Sequence, residues 1–321
     1  MPQPTFRSFL GIAKETVFGT PVAATAFIPV KTMSPSDKLT LLADEGMRGS
    51  MVKTYDKIAG PVSAEYGFDG DVFPDTFGWC LAGILGDVTT TGASAPYTHV
   101  MSLLNSGTGQ PPSYTLSDFY TIATRQFAGL RFSEVGIKFS GDGLLTYSAK
   151  ALSLASATTT APTPSYTSVP PLAGWALAVT IGGTAVTFVT DGEVTLKRDV
   201  TIVNTSDGTQ APYALWAGPL EVSGKLTLVM EDDTQYLNYL NNSRPSLDIN
   251  LQQGAGATGV QVKLHMSKAS YSAAEIGRGK DYIELGVDFD ALANTTDAGT
   301  SGGYSPIKAT LQNAVATGTY A

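Results

Sequence analysis

Histidine and cysteine are nearly absent from this 321-residue chain, which has two histidines, His99 and His265, and one cysteine, Cys80. A single thiol excludes an internal disulfide. These three ligands cannot build the usual His/Cys zinc site without carboxylate help. Charge is also scarce, at 15% of residues, and the balance is acidic, with a net charge of −8. Basic residues do not cluster, because Lys197-Arg198 and Arg278–Lys280 are short and flanked by acids. Gripping nucleic acid requires clustered cations, so that function is excluded; letting DNA pass unheld is not. Long apolar runs are missing too. The most apolar stretch, Gly78 to Leu85, is far short of the roughly 20 residues that span a bilayer. No apolar run near Arg7 and Lys14 suits a signal peptide. The expectation is a chain folded in a cytoplasm without a membrane anchor.

What the chain does have is glycine (34), proline (18), abundant Ser and Thr, and 43% hydrophobic residues. That mixture reads as mainly β, with many turns. Period-2 runs predict strands at Ala26–Met33, Lys38–Leu42, Val62–Val72, Tyr97–Leu103, Tyr114–Phe119, Gly129–Ser140 and Leu144–Leu154. A helix is predicted from Pro74 to Leu85, where Phe77, Leu81, Ile84 and Leu85 recur at helical spacing. Residues 157–174 carry Pro162, Pro164, Pro170 and Pro171 without any charge, and read as an extended linker. Beyond it, Gly182-Gly183 signals a hairpin. Strands are expected at Glu193–Asn204, Leu220–Met230, Leu247–Gln252, Val260–His265, Tyr282–Phe289 and Pro306–Leu311, with a helix at Asp232–Leu240. The expected organisation is an arm at 1–25, a β domain at 26–156, the linker, and a second β domain at 175–321.

The two halves contain a hidden repeat. Aligned without a gap, Gly60-Pro61 matches Gly218-Pro219 and Asp75-Thr76 matches Asp233-Thr234. Val62, Ala64, Tyr66, Phe68 and Val72 share one phase, and Leu220, Val222, Leu226, Leu228 and Met230 repeat it. A one-residue slip would exchange the two faces, so the shared phase is a constraint. Each strand then runs into an acidic helix start, where Trp79 and Ala82 match Leu237 and Leu240. The order implies two tandem α+β units, each an antiparallel sandwich or barrel with one flanking helix.

Catalytic patterns are weak. Gly299 to Gly303 fits G-x-S-x-G formally, yet Ser301 lies in a Gly/Thr/Ser loop without the strand–helix elbow the motif needs. Asp69, Asp71 and Asp75 lack calcium-loop spacing. No phosphate-cradling glycine loop occurs in the sequence. The expectation is a structural protein, not an enzyme, with no cofactor and no metal.

The segment GIAKETVFGTPVAATAFIPV resembles the N-terminal signature of phage major tail tube proteins, through Gly11, Ala13, Glu15, Phe18, Gly19, Thr20 and Pro21. The closing segments KLHMSKASYSAAEIGRGKDYIELGVDFDALANTT and SPIKATLQN are similar to the same family. The resemblance implies packed antiparallel sheets with a side helix. It further implies rings whose inner wall is a continuous barrel, stacked head to tail into a hollow tube for DNA ejection. Such rings usually carry six tube domains. Two domains per chain then predict a homotrimeric ring with pseudo-sixfold symmetry.

The implied partners are other copies of the chain, a tape-measure protein, tail terminator and tail-tip proteins, and DNA that passes without specific binding. The implied location is the virion tail, assembled in the host cytoplasm. Glu65, Asp69, Asp71 and Glu221 are the lumen candidates. Phe6, Phe18, Thr89 and Tyr97 are the inter-ring candidates, from the Phe6–Phe18 arm and the Thr89–Gln110 region. The rival reading is a host- or carbohydrate-binding β-sandwich of the tail tip or decoration layer.

Overall fold

A computed structural model describes residues 4–254 and 259–320. Its strands are, in chain order, β1 (Phe9–Lys14), β2 (Ala26–Ile28), β3 (Thr32–Asp44), β4 (Asp56–Asp71), β5 (Gly86–Thr91), β6 (Tyr97–Leu103) and β7 (Tyr114–Tyr120). There follow β8 (Ala123–Ser140), β9 (Thr146–Leu154), β10 (Ala157–Thr159), β11 (Leu177–Ile181), β12 (Thr184–Val186) and β13 (Val189–Val203). The last are β14 (Ala214–Val229), β15 (Leu247–Gln253), β16 (Val260–Met266), β17 (Ala269–Gly277), β18 (Glu284–Ala291) and β19 (Lys308–Asn313). Helix α1 (Gly78–Leu85) follows β4, and α2 (Thr234–Leu240) follows β14. The protein is mainly β, as its composition indicates.

One sheet has a spine ordered β3-β4-β9-β8-β13-β14-β18-β17, antiparallel throughout. The first half of the long β8 also carries β7 on one side and β10 on the other, and β1 and β2 continue from β7. A second, seven-stranded sheet runs β12-β11-β15-β16-β19-β6-β5. Strand β19 lies between β16 and β6, so the C-terminal segment joins the outer strands of both halves.

Alternation sets the faces. In β4, Ala64, Tyr66 and Phe68 are buried and Glu65 is exposed; in β14, Val222, Leu226 and Leu228 are buried and Glu221, Ser223 and Lys225 are exposed. The phase read from the two Gly-Pro segments is therefore present in the fold. Both apolar faces contribute to one continuous core with the second sheet and α1.

The two helices differ in burial. Every residue of α1 is buried. Tyr320 packs edge-on against Trp79, with ring centroids 5.6 Å apart. A Cβ at Gly83 would lie 2.3 Å from the ring of Phe132, so this helix position needs glycine despite its poor helix propensity. On α2, by contrast, Leu237 and Leu240 are exposed. The C-terminal segment covers the first helix, whereas Leu237 and Leu240 stay open on the second, with nothing over them among the described residues.

Three segments have more structure than their composition suggests. Residues 9–14, within the expected arm, form a buried strand between β2 and β7. In the expected linker, β10 pairs with β8, and Leu172 is buried with its carbonyl accepting from Leu145 N–H at 2.9 Å. The hairpin of β3 and β4 extends far past the core, and Leu41, Leu42, Met47, Met51, Val52 and Ile58 along it are all exposed.

Candidate functional site

The N-terminal signature is organised around one buried carboxylate. Glu15 accepts hydrogen bonds from Ser113 Oγ and Thr115 Oγ1 at 2.7 Å, from Gly129 N–H at 2.7 Å and from Gly19 N–H at 2.9 Å. Four donors satisfy the charge, as burial of a carboxylate requires. Gly19, Ser113 and Gly129 come from three separate segments, so Glu15 ties the turn after β1 to β7 and β8. Phe18 lies under the Arg131 guanidinium, with the ring centroid 5.7 Å away. This arrangement is structural: it fixes the entry of the chain into the sheet.

A second polar knot joins the two halves. The buried Arg198 of β13 donates to Ile84 O at 3.0 Å, at the end of α1, and to Gly218 O at 2.9 Å. Burial, with the like charge of Arg131 adding, pushes its pKa down to about 10. From the other side, Gln210 O accepts from Val62 N–H at 2.9 Å, and Gln210 Nε2 donates to Gly60 O at 3.0 Å.

The open face of the spine is the candidate functional surface. It gathers Glu65, Asp69 and Asp71 on β4, and Glu221 lies on the same face of β14. The face is more mixed in charge than the acidic candidates alone suggest. Five lysines on it each lie beside a carboxylate. Lys38–Glu65 is 3.4 Å, Lys150–Glu134 2.9 Å, Lys138–Glu193 2.9 Å, Lys225–Asp288 3.9 Å and Lys197–Asp199 4.0 Å. At the rim of the same face Lys31 pairs with Asp71 at 2.6 Å, and Thr32 donates to Asp69. Exposed pairs of this kind add little stability. Their effect is on the surface potential, because no bare basic stripe is presented to a polyanion.

The remaining candidates separate. Phe6 is fully exposed. Phe18 is half-buried against Arg131. Thr89 bonds to Thr300 Oγ1 at 3.2 Å, and Tyr97 opens β6 opposite Asn313. The prominent exposed segment is the β3–β4 hairpin, of which the sequence shows Lys38–Leu42 and Val62–Val72 as strands but not the stretch between them. Its apolar residues fall on both faces, so alternation gives no clear signal there.

Ser301 Oγ donates to Leu103 O and accepts from Asn105 N–H, contacts that serve the loop. His99 is buried between Thr90 Oγ1 (2.8 Å) and Asn313 Oδ1 (3.0 Å). Asn313 also donates to Pro74 O, so the Nε2–H of His99 donates to the amide oxygen and Nδ1 accepts from Thr90. His265 lies apart, bonded to Asp248 at 2.7 Å. Among the described residues, no group of three or more His, Cys, Asp or Glu is arranged to hold a metal ion, and no helix is long and apolar enough to cross a membrane.

These features describe a β-sheet structural protein with open strand edges and a charge-paired face. The chain matches the Phage tail tube protein family over residues 5–291 and belongs to that family. It is a structural component of the virion tail. No curated protein matches it.

Proposed function

We propose that this chain is the major tail tube subunit, which closes into rings of three chains and stacks them into the hollow conduit for DNA ejection. One observation carries this reading: the spine of the sheet is built twice. Strands β3-β4-β9-β8 are followed directly by β13-β14-β18-β17, in the same connectivity with a helix after the second strand. Duplication of one ancestral tube unit accounts for this order, with the division falling at 157–174. Ring closure removes the two edges that an open sheet would leave.

The paired-charge face is the lumen wall. Each lysine there is neutralised by a neighbouring carboxylate, so DNA gains little by releasing counterions onto the wall. Screening confines the excess negative charge to about 8 Å at physiological salt, enough to keep the duplex off the wall. The exposed β3–β4 hairpin reaches into the neighbouring ring and buries its apolar residues there. Stacking of this head-to-tail kind gives an open filament. Rings assemble in the host cytoplasm on a tape-measure protein and are capped by terminator and tip proteins.

Negative-stain microscopy of the purified protein at high concentration tests the reading, with hollow tubes expected and persistent monomers contradicting it. The lumen assignment is tested separately. Glu65→Lys with Asp69→Lys leaves tubes intact and slows DNA ejection; unchanged ejection removes that assignment.

A further inference from the structure

The repeat extends to the irregularities of the sheet. Opposite β4, the register of β3 shifts between Leu39–Val62 and Leu41–Ala59; opposite β14, the register of β13 shifts between Arg198–Leu220 and Val200–Ala217. Opposite β9, β8 shifts between Phe132 and Glu134; opposite β18, β17 shifts between Tyr271 and Ala273. Superposing the bulges makes Leu39 equivalent to Arg198 and Phe132 equivalent to Tyr271. Every residue on the two open edges of the spine, β3 and β17, thereby acquires a counterpart on a strand that is already paired.

Those paired counterparts are β13 and β8, which meet each other inside the chain. Their register is Lys197–Glu134, Thr195–Gly136 and Glu193–Lys138. We infer that β17 of one chain pairs antiparallel with β3 of the next in the equivalent register, Ala273 opposite Lys38, Glu275 opposite Ser36 and Gly277 opposite Ser34. The inference rests on the ring reading and adds to it a register, residue by residue.

The chemistry of the two edges fits this alignment. Ile137, the internal counterpart of Ile276, is buried, whereas Ile276 is 37% exposed in the single chain. In the inferred register Ile276 lies opposite Pro35 and loses that exposure. Pro35 has no N–H to give, which discourages unspecific pairing while β3 is an unpaired edge and leaves position 35 without a donor once β17 is in place. Glu275 lies diagonal to Lys38, within reach of an ion pair. The charges of the internal junction, Lys138 and Glu193, have Gly277 and Ser34 in their places, so no like charges are opposed.

The test uses the full chain in assembled particles. Ser36→Cys with Glu275→Cys, and independently Ser34→Cys with Gly277→Cys, place thiols directly opposite one another across the junction. Ser34→Cys with Glu275→Cys is offset by two residues, beyond the reach of about 7 Å for a disulfide. The native Cys80 is buried and does not compete. After mild oxidation, covalent multimers ending at a closed trimer are expected on non-reducing gels for both in-register pairs, with loss of the cross-link in the offset pair. Rings that form normally but cross-link only in the offset pair, or in none, overturn the register and leave the ring reading standing. Absence of rings by microscopy overturns both.

Discussion

Gly60 and Gly218 occupy the same position in two equivalent β-bulges. Each faces a backbone carbonyl of the opposite strand: a Cβ on Gly60 would lie 3.1 Å from Thr40 O, and one on Gly218 would lie 2.9 Å from Asp199 O. Thr40 and Asp199 are themselves equivalent, since each is skipped at its register shift. One backbone approach thus favours glycine twice, more strictly at Gly218 than at Gly60. Gly218→Ala is expected to destabilise the protein by about 1–3 kcal/mol, and Gly60→Ala by somewhat less. Gly143→Ala, whose Cβ meets nothing nearer than 4.0 Å, stays within about 0.5 kcal/mol of the parent. Urea unfolding of the three variants measures this, and equal effects at all three would contradict it.

Glu15 organises the N-terminal signature through four hydrogen bonds. Glu15→Ala leaves four donors without their acceptor, at a cost of roughly 3 kcal/mol or more. Glu15→Gln keeps one good acceptor oxygen and should lose less. Denaturant midpoints order the three proteins as parent, Gln, Ala. An Ala variant as stable as the parent would show that the carboxylate does not hold the turn.

His99 links stability to pH. Burial lowers its pKa below the usual value of 6.5, while the bond to Asn313 acts in the opposite direction. The unfolded chain therefore takes up this proton at a higher pH than the folded one. The stabilisation is fully present above pH about 6.5 and is lost as pH falls through the depressed folded value. His99→Gln removes this part of the acid slope. Thermal melts of both proteins between pH 7.5 and about pH 5 compare the slopes directly; parallel slopes would refute the assignment.

The β3–β4 hairpin tests the stacking role. Replacing residues 45–55 with a short turn leaves the bulge and core intact, so the chain should fold and form rings. Tubes should not grow, because the exposed apolar residues of the hairpin no longer reach a neighbour. Sedimentation separates rings from filaments, and normal filaments from this variant would place the stacking contact elsewhere.

Much of this architecture is legible in the sequence. The Gly-Pro alignment finds the two long strands because their alternation is clean and their bulge requires glycine. Helix α1 is legible because its apolar residues recur at helical spacing. Strand β17 is not legible, since the small residues of ASYSAAEIG give no period. Strand β1 is not legible because GIAK is short and lies within a segment rich in small residues and proline. The insertion of β19 between β16 and β6 is a tertiary arrangement with no local signal. Alternation alone places the acidic candidates of β4 on its polar face, but their lysine partners come from neighbouring strands and become visible only with the register.

The central claim is that each chain supplies two equivalent units to one ring. The rotational symmetry of assembled tubes, determined by electron cryo-microscopy, tests it most directly. Three chains per ring, with six similar units around the axis, is the predicted result. A ring of six whole chains would contradict it.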